Sequence, residues 1–543
     1  MKIEMLNSLK HYSKKLFIDD TMAGLIVAIV ALPLSIAFGI ASGVNPNQSL
    51  ITAIVAGFIV SALGGTKFQI AGPTGAFVVL IYSIVQKYGL SGLMTATIMS
   101  GILLMLFGFL KLGNFIKFIS LPLVIGFTAG IAILIFSTQV ADLLGLTING
   151  KIPADFFHKW YVYITNLNTI NFYALFISVL TIGIIFLFPK ITTKLPSQFV
   201  ALVITTLIVK FFNFPVEKIV DRFGEINFSL PQLILPDISI STIKMLFVPA
   251  LTIALLGAIE SLLSAVVADS MTNSKHDSNT ELFAQGVANV ITPIIGGIPA
   301  TGAIARTATN IKNGGKTPVA GMLHSIFLLL ILIFFAPLIS YIPMATLGGI
   351  LAVVAYNMSS WREIKHLLRA PKADIFVLFL TIILTITFDL TVSIGIGLIV
   401  SSFNFMNNMY NNSSLKFTST KTRNKDGRSI IDKIEFPEDV LIYEPNGAFF
   451  FAVSSKFENE FKQHIETYKY AIIRLQHISI IDASGLIILE NIIKYFQSKN
   501  VEVLLLQMPR QISKKVKKFG INDLVGKNRI FDNIEDVLQY IKA

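Results

Sequence analysis

From Thr21 to about Tyr410 the chain alternates long apolar runs with short polar breaks, and beyond Tyr410 that rhythm stops. Fourteen runs can be placed: 22–41, 50–64, 74–86, 92–110, 119–137, 172–188, 197–212, 244–268, 281–294, 302–312, 318–336, 345–357, 372–388 and 391–409. A helix needs about 20 residues to cross a hydrocarbon core about 30 Å thick. Most runs approach that length, whereas 74–86 and 302–312 are too short to cross alone. After the polar stretch "NNSSLKFTSTKTRNKDGRS" the pattern becomes that of a small α/β domain. Its strands are expected at 438–445, 448–452, 470–476 and 501–506, its helices at 454–466, 484–498, 509–519 and 533–542. The domains expected are thus an N-terminal segment 1–21, a transmembrane domain 22–410, a linker 411–431 and an α/β domain 432–543.

Composition agrees with the pattern. Of the 543 residues, 53% are hydrophobic and 14% charged, against about 25% charged in soluble domains. The net charge of +12 invites a nucleic-acid reading, but its distribution argues for a membrane. Lys111 and Lys117, Lys190 and Lys194, Lys275, Lys312 and Lys316, and Arg362 to Lys372 fall on alternate short loops. With the basic N-terminus cytoplasmic, all of these loops are cytoplasmic, as the positive-inside bias requires. An even number of crossings then returns the C-terminal domain to the cytoplasm. The first run, at 22–41, is too long for the apolar stretch of a cleavable signal. Cysteine is absent, and the histidines show no metal-ligand spacing. No phosphate-binding loop or nucleophile triad points to an enzyme.

Two of the shortest runs begin in related stretches, "QIAGPTGAFVVL" at 69–80 and "GGIPATGAIART" at 296–307. Each joins a proline and glycines to a Thr-Gly-Ala. Non-helical backbone at membrane depth is tolerated only inside protein or beside a cavity. The stretches therefore predict extended segments leading into half-helices that start near Thr74 and Gly302. Helix N-termini offer free N–H donors and partial positive charge. Two that face each other make an anion site, and paired interrupted segments are the best sequence pointer to a transporter's site. A plain glycine-rich helix crossing is the alternative.

The stretches "VALPLSIAFGIASGVNP" (30–46), "AGPTGAFVV" (71–79), "GAIESLLSAVVADSMTNSKHDSNTELFAQGVANV" (257–290) and "GGIPATGAIARTATNIKNGGKTPVAG" (296–321) resemble the SulP family of anion transporters. That family holds sulfate-permease-like and bicarbonate transporters and the animal branch containing prestin. The tail resembles a STAS domain, the family's usual C-terminal module. The resemblance implies a polytopic α-helical protein with two inverted seven-segment repeats, UraA-like core and gate domains, and a homodimer in the cytoplasmic membrane. It implies an anion site formed by Phe38, by Thr74, Gly75 and Ala76 of the third segment, and by Gly302, Ala303, Ile304, Ala305 and Arg306 of the tenth.

Arg306 would add positive potential to that site; snorkelling or a structural ion pair near the cytoplasmic end is its alternative. Glu260, deep in the eighth segment, is costly to ionise there, which makes it a candidate proton carrier or cation ligand; its plain alternative is a salt bridge to Arg306. It is the acidic residue expected within an apolar crossing near both stretches, Asp389 lying at a segment end. Ser264, four residues on, shares its helix face and could complete a cation site or bond back to its own helix. Sodium-coupled relatives carry an aspartate and a threonine where Glu260 and Ser264 stand, and a hydroxyl residue at the position of Ile304. Sodium wants several hard oxygens, so the proton is favoured as coupling ion and sodium is kept as the other choice. In "IIDASGLIIL" at 480–489, Ser484 falls on the serine that soluble STAS relatives phosphorylate, although a helix cap is the favoured reading. A regulatory partner of that domain is possible. The expected function is secondary active transport of a small anion of the bicarbonate, sulfate or dicarboxylate class by alternating access. An uncoupled anion channel or exchanger is the alternative. No cofactor, metal or nucleic acid is expected.

Overall fold

The structure is a computed structural model that describes residues 3–10, 12–114, 120–148, 150, 152–192, 195–224, 239–388, 390–419, 437, 439–453, 456 and 468–543. Lys117, Lys194, Asp389, the expected helix 454–466 except Lys456, and most of the expected linker lie outside these residues. Two units divide the chain, Met1–Ile399 and Val400–Ala543. The division falls inside the last apolar helix, Leu390–Asn412.

Each of the fourteen predicted runs lands on helix to within a few residues. Among the described residues these segments are, in order, Lys14–Ala41, Pro46–Leu63, the two halves of Gly75–Phe109, Leu121–Leu144, Phe172–Leu187, Ser197–Phe212, Ile240–Thr272, Ser278–Ile294, Ile304–Lys312, Val319–Ile339, Met344–Met358, Lys372–Thr387 and Leu390–Asn412. The helix Gly75–Phe109 breaks at Gly89, where φ is 70° and ψ is −177°, a backbone that residues with a Cβ rarely adopt. This break makes the third and fourth segments.

Packing sorts the segments into two groups. The first to fourth pack chiefly with the eighth to eleventh, and the fifth to seventh with the twelfth and thirteenth. They are the core and gate groups of the expected architecture. At the centre of the core group two short strands, β1 (Ala71–Gly72) and β2 (Thr301–Gly302), pair antiparallel, Ala71 opposite Gly302 and Gly72 opposite Thr301. Each strand runs directly into a half-helix, the third or the tenth segment.

The second unit is an α/β sheet with strand order β3 (Ser414–Ser419), β4 (Val440–Phe449), β5 (Tyr470–Arg474), β7 (Glu502–Leu506) and β8 (Ile530–Phe531). β6 (Ile478–Ile481) pairs with the end of β4. Side chains alternate across the sheet with period two. Leu441, Tyr443, Ala471, Ile473, Val503 and Leu505 pack beneath the helices Ala483–Ser498 and Arg510–Phe519. Val440, Ile442, Ile472, Leu504 and Leu506 pack against Ile534–Lys542. Three expectations change here. The start of the expected linker is strand β3, whose polar sequence hides its pairing with the edge of β4. The expected strands 438–445 and 448–452 are one strand. The cap of Ala483–Ser498 is Asp482, which accepts from Gly485 N at 2.8 Å and from Phe451 N at 3.1 Å; Ser484 lies inside the first turn.

Candidate functional site

The crossing of β1 and β2 is held by side chains that replace the hydrogen bonds a helix would have made. Asn289 of the ninth segment donates to Ala300 O and accepts from Ala300 N, both at 2.9 Å. Thr52 accepts from Ile298 N at 2.7 Å. Ser261 accepts from Gly302 N at 2.9 Å and lies 3.0 Å from Thr301 Oγ1. Ala303 N donates to Ile70 O at 2.9 Å, and Thr307 Oγ1 accepts from Ile70 N at 3.1 Å. Buried backbone must be paired, and these four residues, from the second, eighth, ninth and tenth segments, do much of that pairing. The two half-helix starts are thereby fixed in space.

Those starts are left uncapped. Thr74 and Ala303 are in extended conformation at the N-cap positions, and neither side chain caps its helix. The Thr74 hydroxyl is buried without a partner among the described residues. Both helix ends open on one cavity of about 570 Å³, lined by Phe38, Thr74, Gly75, Ala76, Glu260, Ala303, Ile304, Ala305 and Arg306 among others. The structure thus gathers nine of the eleven membrane positions singled out by sequence. Gly302 and Ser264 are not on this wall. A Cβ at Gly302 would lie 2.1 Å from Gln69 Nε2, so that glycine serves the crossing itself. The Ser264 hydroxyl donates to Thr307 Oγ1 at 3.1 Å; it neither faces the cavity nor bonds back to its own helix.

Arg306 is 1% exposed. Its Nη2 donates to Ser35 Oγ and to Pro73 O, each at 3.1 Å, and its Nη1 has no partner among the described residues. Among the described residues no ion pair joins it to Glu260, which overturns the salt-bridge alternative for both residues. Two neutral acceptors hold the guanidinium in place, so its charge is not cancelled locally. Gly72 makes the room: a Cβ there would come within 2.3 Å of Nη1. Glu260 is 6% exposed and lies on the wall of the same cavity. The site therefore combines two helix ends, each worth about half a positive charge, one arginine and one acid.

Sequence reasoning missed Ser35, Gly72 and the crossing's clamps Thr52, Ser261 and Asn289. Polar residues inside apolar runs were the available signal, and "LPLS" at 32–35 shows one beside a proline. It also overlooked two buried acids. Asp20 accepts from Lys316 N at 2.8 Å and from Thr317 N at 3.2 Å, and Glu281 accepts from Gly65 N at 2.9 Å. Both tie loops to helix ends, and neither lines the cavity.

Residues 17–381 match the family described as the Sulfate permease family, and residues 433–537 match the STAS domain. A Bacillus subtilis (strain 168) protein named "Putative sulfate transporter YvdB" is 40% identical over 530 residues, covering 97% of this chain and 98% of its own. The solved transmembrane domain of a cyanobacterium bicarbonate transporter, BicA, superposes with a TM-score of 0.64 at 30% identity, covering 72% of this chain and 98% of that one. The fold is also that of the murine Solute Carrier 26 family member A9 anion transporter, with a TM-score of 0.87 at 18% identity over 99% of this chain and 94% of that chain.

Proposed function

This chain belongs to the sulfate permease family, and from that premise we propose that it carries a small anion of the sulfate or bicarbonate class across the cytoplasmic membrane, coupled to protons, by alternating access. The observation that carries this reading is the convergence of two uncapped half-helix ends and the unpaired Nη1 of Arg306 on one cavity. Unpaired N–H groups and a desolvated guanidinium recognise negative charge. The Thr74 hydroxyl adds a donor, and Phe38 closes the site on its apolar side. The cavity also reaches Thr192, Ser197, Asn313 and Ser360, at the loops the charge bias places in the cytoplasm. The state is therefore read as open to the cytoplasm.

Glu260 supports a proton as the second ion. It shares the cavity with the anion and has no ion pair among the described residues. Ile304 offers no side-chain oxygen to a cation, and the Ser264 hydroxyl is engaged with Thr307. In a low-dielectric cavity a carboxylate and an anion repel, so a proton on Glu260 lets the anion load and reduces the charge that must cross the barrier. Such linkage is reciprocal: a lower pH tightens anion binding, and the anion tightens proton binding.

Flux into proteoliposomes with labelled sulfate, bicarbonate and dicarboxylate, under separate pH and sodium gradients, tests the reading. Uptake of one of them should accumulate against its gradient when the outside is acidic. Arg306→Ala should abolish saturable uptake, and Thr74→Val should raise the apparent KM several-fold, as loss of a hydroxyl donor worth about 1 kcal/mol implies. Glu260→Gln should keep anion exchange and lose proton-driven accumulation. Uptake that ignores pH but needs sodium would reject the proton and return Glu260 to the role of a cation ligand.

A further inference from the structure

The helix Phe156–Thr165, between the fifth and sixth segments, is amphipathic in an inverted sense. Phe157, Tyr161 and Ile164 are exposed at 60%, 68% and 62%, while Lys159 and Tyr163, on the other face, are 3% and 1% exposed. Residues three and four apart share a helix face. Exposed aromatic residues suit the lipid interface, so the inward face of this helix carries its lysine. A buried ammonium is costly without a counter-charge or acceptors. Among the described residues Lys159 has no ion pair and no hydrogen-bond acceptor; Asp155, one turn earlier on the helix, acts on it only through space, and its Nζ lies over the Tyr82 ring, 5.7 Å from the centroid.

Lys159 lines a cavity of about 130 Å³ together with Gln139, Asp142, Tyr163 and Arg222. A larger cavity of about 660 Å³ shares Tyr82, Asp142, Ile152 and Arg222 with it. The acid here is already answered. Arg222 Nη2 lies 2.8 Å from Asp142 Oδ1, and the same guanidinium grips Glu217. The Gln139 amide nitrogen donates to Thr138 Oγ1 at 2.7 Å. Tyr163 Oη is buried with no partner among the described residues. Two donors without a hydrogen-bond partner among the described residues, an ammonium and a phenol one helical turn apart, thus line the same small cavity.

This space is not the central cavity. The first segment presents Phe38 to the central cavity and Ile40 and Ala41 to this one. The third presents Gly75 and Ala76 to the first space and Tyr82 to the second, roughly 10 Å further along the helix at 1.5 Å per residue. Between the core group and the 156–165 helix, Tyr82 Oη donates to Ile152 O at 2.7 Å.

We propose that Lys159 and Tyr163 form a second binding site for a small inorganic anion, on the far side of the Tyr82–Ile152 contact from the central cavity. The charge there selects an anion, and the volume limits it to a small one. An anion held there occupies the closed face of the transporter and passes to the central site when that contact opens. The identity of the ligand class as the transported one rests on the transport reading; the site itself does not.

The chain has two tryptophans, Trp160 and Trp361. Trp160 neighbours the site: its ring centroid is 6.1 Å from that of Tyr163, and its Nε1 donates to Ser137 Oγ at 3.1 Å. Full-length Trp361→Phe protein in detergent is titrated with sodium sulfate, bicarbonate and nitrate at constant ionic strength. At least one salt should change Trp160 emission saturably. Lys159→Gln should weaken that response about tenfold, as loss of a charged donor implies, and Tyr163→Phe about threefold, as loss of a neutral one implies. Arg306→Ala, which disables the central site, should leave the response in place. Should Lys159→Gln fail to fold, Tyr163→Phe decides alone. Absence of a saturable response, a response indifferent to Tyr163→Phe, or one lost with Arg306→Ala would each overturn the second site. Because the Trp160 response is read without transport and is expected to survive Arg306→Ala, the two proposals fail separately.

Discussion

Arg306 depends on a residue that has no side chain. A methyl group at position 72 would stand 2.3 Å from Nη1, closer than any real contact, and the guanidinium would have to leave its bonds to Ser35 and Pro73. Gly72→Ala should therefore resemble Arg306→Ala in transport while the protein still folds, which saturable uptake and thermal unfolding measured together will check. Lys159 offers a pH test. Burial pushes its ammonium down to about 8, so it is charged below that pH and neutral above it. Asp142, Arg222, Tyr82 and Tyr163 face the same cavity, and Asp155 stands at the start of the helix. The Trp160 anion response should accordingly fade as pH rises through about 8 and persist to higher pH in Lys159→Arg, since arginine stays charged. At this scale the sequence was legible where a residue is chemically odd for its surroundings, as Arg306 and Glu260 are. Lys159 was not, because a lysine in a polar loop looks ordinary until its direction is known.

At the scale of elements, the half-helices begin where they do because tertiary partners take over their backbone bonds. Asn289→Ala would leave Ala300 N and O unpaired in the core, a cost of about 1–3 kcal/mol for each group. A clear fall in thermal stability together with weaker anion uptake is the expected outcome; full stability would mean that Asn289 does not hold the crossing. In the second unit the cap assignment makes a contrast: Asp482→Ala should destabilise by about 1 kcal/mol, while Ser484→Ala should unfold like the wild type in denaturant. The half-helices were readable from Pro and Gly beside Thr-Gly-Ala, because those residues bar ordinary helix. The pairing of β1 with β2 was not, since some 230 residues separate the partners in sequence. Strand β3 was hidden by its polar composition, which an edge position tolerates.

For the whole molecule, the segment count and the loop charges set the expected topology, with Asn47 outside and Asn313 inside. The chain has no cysteine, so single engineered cysteines report cleanly. An impermeant thiol reagent added to intact cells should label Asn47→Cys and spare Asn313→Cys until the membrane is opened; the reverse would invert the topology and exchange the faces assigned to the two cavities. Core and gate groups meet around both cavities, and the Tyr82–Ile152 bond is one place where motion between them must break a contact. Tyr82→Phe should therefore shift the balance of states and raise the exchange rate if opening of that face limits turnover.

What the sequence by itself determined is everything that depends on local pattern: fourteen apolar segments, a break at each short one, the α/β tail, and the unusual residues inside lipid-length runs. Solvation explains this, because a bilayer demands apolar runs of fixed length and tolerates breakers and charges only where function or packing covers them. Only the tertiary structure decided which breaks meet, that Arg306 is held by Ser35 and Pro73 rather than by Glu260, that Ser264 is tied to Thr307, and that Lys159 turns inward. Each of these is a question of direction and distance between remote segments, and one-dimensional pattern records neither.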